Sequence, residues 1–188
     1  MNKEDAVTKK KSSAFSFWEF LKIIVFAAVI VVPIRYFIFQ PFIVKGASMT
    51  PNFQSGDYLI IDEISYFTGD PTRGDVVVFK YPLDSSQRFI KRIIGLPGET
   101  IEVEENKISI TKDGIIFILD EKKYLTNLKK TDDNIRVVLG DKEYFVLGDN
   151  RQFSYDSRRW GVLPRKDIIG RVAVRIFPVI SYIPKTNY

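Results

Sequence analysis

The tetrad Gly46-Ala47-Ser48-Met49, followed by Thr50-Pro51, stands in a chain of 188 residues that contains no His and no Cys. That absence narrows the chemistry open to Ser48. A Ser-His-Asp triad and a Cys-His dyad both need an imidazole, and zinc sites draw mainly on Cys and His. A nucleophilic Ser48 therefore needs a Lys, a carboxylate or an amine as its base. Lys serves only when neutral. An ordinary Lys, with a pKa near ~10.4, lies about 3.4 units too high at pH 7, and holding it neutral takes roughly 4.6 kcal/mol. Burial in an apolar setting lowers a Lys pKa by up to ~3–5 units. Lys91, in Phe89-Ile90-Lys91-Arg92-Ile93-Ile94, has the most apolar strand context of any Lys in the chain. Strand alternation puts it on the face of Phe89 and Ile93 and sends Arg92 to the opposite face. Lys80, beside Tyr81-Pro82, is the weaker competitor. Taken singly, a Ser after Gly-Ala is ordinarily a turn residue, and a Lys on a strand is ordinarily solvated.

The elements that must position these groups begin with an apolar run. Ile23 to Ile34 carries no charge, and extension to Phe17 and Phe39 gives about 20 residues, enough to cross a bilayer core as a helix. Lys22 and Arg35 flank the run where long side chains snorkel, and Trp18 and Tyr36 stand at aromatic-belt positions. Lys3, Lys9, Lys10 and Lys11 precede it, which predicts a cytoplasmic tail over residues 1–16, an anchor over 17–39 and an extracytoplasmic domain over 40–188. A cleaved signal peptide is the alternative, but no small-x-small pair follows the run.

Beyond the anchor the pattern is mostly β. Short runs such as Tyr58–Asp62, Asp75–Tyr81, Arg88–Ile94, Thr100–Val103, Lys107–Ile110, Tyr144–Leu147 and Ile168–Ile176 are separated by Gly, Pro and Asp turns. Aromatic content of 14 % favours strands. The fold expected is an antiparallel, barrel-like domain. Residues 104 to about 142 are richer in Lys, Asp, Glu and Asn, and read as a small inserted β subdomain. The net charge of +5 comes without a dense basic run outside Lys9–Lys11 and Lys129-Lys130, so an anionic membrane surface accounts for it as well as nucleic acid does.

Read together, five segments resemble the type I signal peptidases, membrane-anchored Ser/Lys endopeptidases. They are the N-terminal anchor, Phe42–Pro51, Gly56–Ile60, Arg73–Phe79 running on to Lys91–Glu99, and Gly148–Arg158, in the family's order. The resemblance implies Ser48 as the acylating nucleophile and Lys91 as general base and later general acid. It implies Ser154 as the hydroxyl that orients the Lys amine, and Asp156, Arg158 and Arg92 as an ion cluster bracing the site. Asp149 and Asn150 read as the turn that presents this loop. Some members carry Ser or Thr as an oxyanion donor where this chain has Gly46, which leaves a backbone N–H or water as the second donor beside the Ser48 N–H.

Phe42, Val44, Met49, Phe89 and Ile90 are the implied walls of narrow pockets for an Ala-x-Ala-like site, with the substrate added as a strand. The implied partners are exported preproteins and the lipid bilayer, with no nucleic acid and no cofactor, for a monomer acting at the outer face of the cytoplasmic membrane. A catalytically silent homologue would be expected to lack Ser48 or Lys91, and both are present. A self-cleaving regulator or pilin-processing Ser/Lys peptidase is the other branch, and the anchor leaves a regulator no room for a DNA-binding module.

Overall fold

The computed structural model describes residues 17–37, 39–105, 107–125 and 133–184, with the backbone alone for 32–37, 39–40 and 123. The tail lysines Lys3, Lys9, Lys10 and Lys11 and the pair Lys129-Lys130 lie outside the described residues. Helix α1 (Phe17–Phe37) comes first. Phe17, Trp18, Ile23, Phe26, Val29 and Val31 all stand exposed along it. Its described side chains end at Val31, and among the described residues no helix is long and apolar enough to cross a membrane.

Among the described residues twelve strands follow: β1 (Phe39–Ile43), β2 (Tyr58–Asp62), β3 (Val76–Tyr81), β4 (Asp84–Gly95), β5 (Thr100–Glu104), β6 (Lys107–Lys112), β7 (Ile115–Ile118), β8 (Asn134–Val138), β9 (Glu143–Leu147), β10 (Leu163–Pro164), β11 (Ile168–Phe177) and β12 (Ser181–Tyr182). Two four-residue helices, α2 (Ser65–Thr68) and α3 (Ser157–Trp160), sit in connections. The larger sheet runs β1-β2-β11-β3-β4-β9-β10, with β12 against β11, and the smaller runs β7-β6-β5-β8. Every pairing is antiparallel.

The sheets are mostly β and antiparallel, but the expected barrel does not close among the described residues. Closure would require the outermost strands to pair. They are β1, which contains Pro41, and β10, which is two residues long and ends in Pro164. Pro cannot donate to a ladder, so both are suited to remain edges.

β3 explains the packing. Its run Val76-Val77-Val78-Phe79 is buried on both faces, as an uninterrupted apolar run predicts. Val76 and Val78 join Val44, Met49, Phe53, Leu59, Ile61, Ile90 and Val172 in one core cluster, while Val77 and Phe79 join Tyr66, Ile93, Tyr144 and Val146 in another. A third cluster, Ile94, Ile101, Val103, Ile108, Ile110, Leu139, Phe145 and Leu147, joins the two sheets. Gly95 lies at that junction: a Cβ there would come within 2.6 Å of Ile101. The long strand β4 thus spans the core and carries Lys91 and Arg92 through its middle.

Candidate active site

Ser48 lies in the turn after β1. Val44 and Met49 are buried on either side of it, so two apolar anchors tie the turn to the core. Gly46 adopts φ +86°, a left-handed conformation that favours glycine. Thr50 closes the turn by donating from its hydroxyl to the Ala47 carbonyl at 2.8 Å.

Lys91 enters from β4, opposite Val77 on β3. It is 4 % exposed. Its Nζ lies 2.7 Å from Ser48 Oγ and donates to the Ile90 carbonyl at 2.9 Å. The Phe89 ring centroid is 5.5 Å away. Burial lowers the Lys91 pKa from 10.5 to about 8, against the charges of Asp156 and Asp149, which act to raise it. Lys80, the competing sequence candidate, stands exposed.

The loop 148–158 closes the site. Gly148 is its point of closest approach: a Cβ there would come within 2.4 Å of the Ser48 carbonyl oxygen and 2.2 Å of Ser154 Oγ. The Asn150 N–H donates to the Ser48 carbonyl at 2.9 Å, and its side-chain amide donates to Ala47 O at 3.0 Å and Thr50 Oγ1 at 2.8 Å. Asn150 therefore grips the Ser48 turn as well as forming its own. Ser154 Oγ is buried beside Gly148 and has no hydrogen-bond partner among the described residues, so the bond expected from Ser154 to the Lys91 amine is not made. The bonds that Lys91 Nζ does make go to Ser48 and Ile90.

The ion cluster expected from Asp156, Arg158 and Arg92 is divided in two. Arg158 donates to Asp156 through Nε at 2.8 Å and Nη2 at 2.9 Å, and through Nη1 to Asp133 at 2.6 Å. Asp156 also accepts from the Gly148 N–H at 3.0 Å. Arg92 instead takes Asp149, with Nε to Oδ1 at 2.8 Å and Nη2 to Oδ2 at 2.7 Å, donates to Gly74 O at 2.9 Å, and stacks 4.3 Å from the Tyr124 ring centroid. The division follows from β4: Arg92 points to the face opposite Lys91, where Asp149 stands. Sequence reasoning missed the roles of Asp149 and Asn150 beyond a turn, and missed Glu121 and Asp133. The last two carry little local signal, because their arginine partners lie 30 and 25 positions away.

A groove of about 640 Å³ runs past Ser48 and Lys91. Of the expected pocket walls, Phe42, Phe89 and Ile90 line it, whereas Val44 and Met49 belong to the core beneath it. Arg88, Phe153 and Tyr155 line it as well, and the Tyr155 and Tyr81 hydroxyls are 3.2 Å apart. Among the described residues no three acidic side chains gather as a metal site.

Residues 17–177 match the family described as signal peptidase, peptidase S26. The chain is 38 % identical over 178 residues to a probable signal peptidase I-2 of Synechocystis, covering 91 % of this chain and 78 % of that protein. It is 35 % identical over 195 residues to signal peptidase I S of Bacillus subtilis, covering 98 % of this chain and 100 % of that protein. A crystal structure of a signal peptidase I from Enterococcus faecalis aligns with a TM-score of 0.44 at 30 % identity, covering 55 % of this chain and 97 % of that one. The chain belongs to the peptidase S26 family and is a hydrolase of the signal peptidase I type, a serine endopeptidase.

Proposed function

We propose that this protein removes N-terminal signal peptides from exported preproteins by a Ser48/Lys91 mechanism with an acyl-enzyme intermediate, at the outer face of the cytoplasmic membrane. The observation that carries the reading is the 2.7 Å approach of a buried Lys91 amine to Ser48 Oγ. Neutral Lys91 takes the Ser48 proton as Oγ attacks the scissile carbonyl. It then returns that proton to the leaving amine, and the Ser48 ester remains. Water, deprotonated by Lys91, releases the signal peptide as a carboxylate and restores the serine. A neutral amine that accepts from Ser48 and donates to Ile90 O keeps one further N–H, and the unpartnered Ser154 oxygen is the acceptor suited to it. The Ser48 N–H supplies one oxyanion donor. Gly46 has open space beside it, so water fits as the second.

The substrate strand fits the edge of β4 from Arg88 to Lys91, because β9 pairs with β4 only from Arg92 onward. Phe42, Phe89 and Ile90 then wall the small-residue pockets, with Val44 and Met49 supporting them from below. The exposed apolar side chains of α1 between Phe17 and Val31, on the helix that precedes β1 in the chain, support a single anchor that holds the groove at the bilayer surface. The protein acts as a monomer in this reading.

Cleavage of a preprotein by wild type, Ser48→Ala and Lys91→Ala tests the mechanism. Both variants are expected to lose at least ~10³-fold in kcat, and full activity in either overturns it. Protease shaving of intact cells tests the topology: protection of the region after Gln40 would sink the outward orientation.

A further inference from the structure

The connection from β7 to β8 leaves the smaller sheet and returns to the catalytic centre. Its 3-10 turn Glu121–Lys123 is capped by Asp120, whose carboxylate accepts from the Lys122 N–H at 3.1 Å. Glu121 is 4 % exposed and meets Arg151, itself 9 % exposed. Arg151 Nη1 donates to Glu121 Oε2 at 2.7 Å, and Nη2 donates to Oε1. The Tyr124 hydroxyl donates to the same Oε1 at 2.6 Å. The remaining direction of the guanidinium is the informative one: Nε donates to the Gly148 carbonyl at 3.0 Å. Gly148 is the residue pressed against Ser48 O, and Asn150, between Gly148 and Arg151, holds the Ser48 and Ala47 carbonyls.

From this chain of contacts we infer that Glu121 is a positioning residue for the nucleophile turn, acting through Arg151 and the segment 148–150. A buried ion pair does not in itself stabilise a fold, since an apolar pair of similar volume often serves as well. What the apolar pair lacks is direction. A bidentate carboxylate fixes the plane of the guanidinium, and that plane aims Nε at Gly148 O. Small displacements of reacting groups are costly: ~1 Å is enough for about 10²-fold in rate.

The inference rests on the Ser48/Lys91 reading, and the test separates the two. Full-length protein in detergent micelles is assayed on a soluble preprotein, with kcat normalised to the folded fraction at the assay temperature. The variants are Glu121→Gln and the apolar pair Glu121→Leu/Arg151→Leu. Positioning predicts that the apolar pair keeps its folded fraction and a KM within about twofold, while kcat falls by about 10- to 100-fold. Wild-type kcat in the apolar pair shows that the ion pair only packs, and overturns the inference. If the apolar pair does not fold, Glu121→Gln decides: a tenfold fall in normalised kcat at constant KM supports positioning, and an unchanged kcat overturns it. Ser48→Ala is run alongside. Activity there removes the nucleophile assignment itself, whatever the Glu121 variants show.

Discussion

Lys91 and Arg92 are neighbours on one strand, equally buried, and the two faces of β4 treat them in opposite ways. Arg92 is given a full set of partners: a bidentate carboxylate from Asp149, the Gly74 carbonyl and an aromatic face from Tyr124. Lys91 is given a serine hydroxyl and one carbonyl, and among the described residues it makes no direct ion pair with a carboxylate. Its nearest anionic influences, Asp156 and Asp149, act at longer range and are already committed to Arg158 and Arg92. A buried cation with a partner stays charged, and one without tends to shed its proton. The fold thus keeps a permanent cation on one face and a titratable amine on the other, one residue apart.

The sharpest break of this contrast is Lys91→Met. It should abolish preprotein cleavage, with a loss of at least ~10³-fold in kcat. With Lys91 as the proposed base, activity in the wild type should need the neutral amine, so kcat/KM should climb about tenfold per pH unit below an apparent midpoint near 8, the value to which burial brings Lys91. A rate flat from about pH 5 to 10 would contradict a Lys base. Next in size is Arg92→Met, which strands Asp149 as an unpaired buried carboxylate and should cost about 3–5 kcal/mol in denaturant unfolding. Arg92→Met/Asp149→Leu should recover most of it. If the single variant unfolds at the wild-type midpoint, the ion pair is idle.

The same Lys91→Met protein gives the third prediction, with the opposite sign. Folded Lys91 loses its proton near pH 8 and unfolded Lys91 near 10.5. Between these values the unfolded chain holds more protons, so wild-type stability rises with pH through that window. Below it the wild type bears the whole cost of the buried charge. Lys91→Met should therefore be more stable by up to ~3 kcal/mol at pH 7, with the gain fading as pH rises from about 8 to 10.5. A gain constant across that range would show that packing, and not charge, sets the difference. Smallest is Lys80→Met, an exposed strand position, where stability should stay within about ±0.5 kcal/mol and kcat within twofold. A larger loss of activity would reopen Lys80 as a base.

Much of this contrast was legible in the chain. Alternation alone put Lys91 with Phe89 and Ile93 and turned Arg92 away, because the side-chain period of a strand is a local property. The apolar run of β3 read only as one strand among several, and its burial on both faces came from the structure. The partners of the charges were not legible. Asp149 lies 57 positions from Arg92 and read only as part of a turn, since the three residues Gly148-Asp149-Asn150 have ordinary turn chemistry. Glu121 sits in a stretch whose polar texture suggested an insertion, and nothing local marks it as buried. Barrel closure failed as an expectation because strand count and turn spacing do not say whether the first and last strands meet.

By itself, the sequence determined the reagent set: one serine in a glycine turn, a lysine in an apolar strand, and no imidazole or thiol to compete. Residue type and strand period, which act over a few positions, offered these candidates, and the resemblance of the five segments singled them out. Only the tertiary structure decided which acid neutralises which arginine, that the Ser154 hydroxyl is left without a partner among the described residues, and that Gly148 packs against the backbone of Ser48. Those outcomes depend on distances across sheets and loops, where burial sets the cost of every unpaired charge, and no run of adjacent residues encodes them.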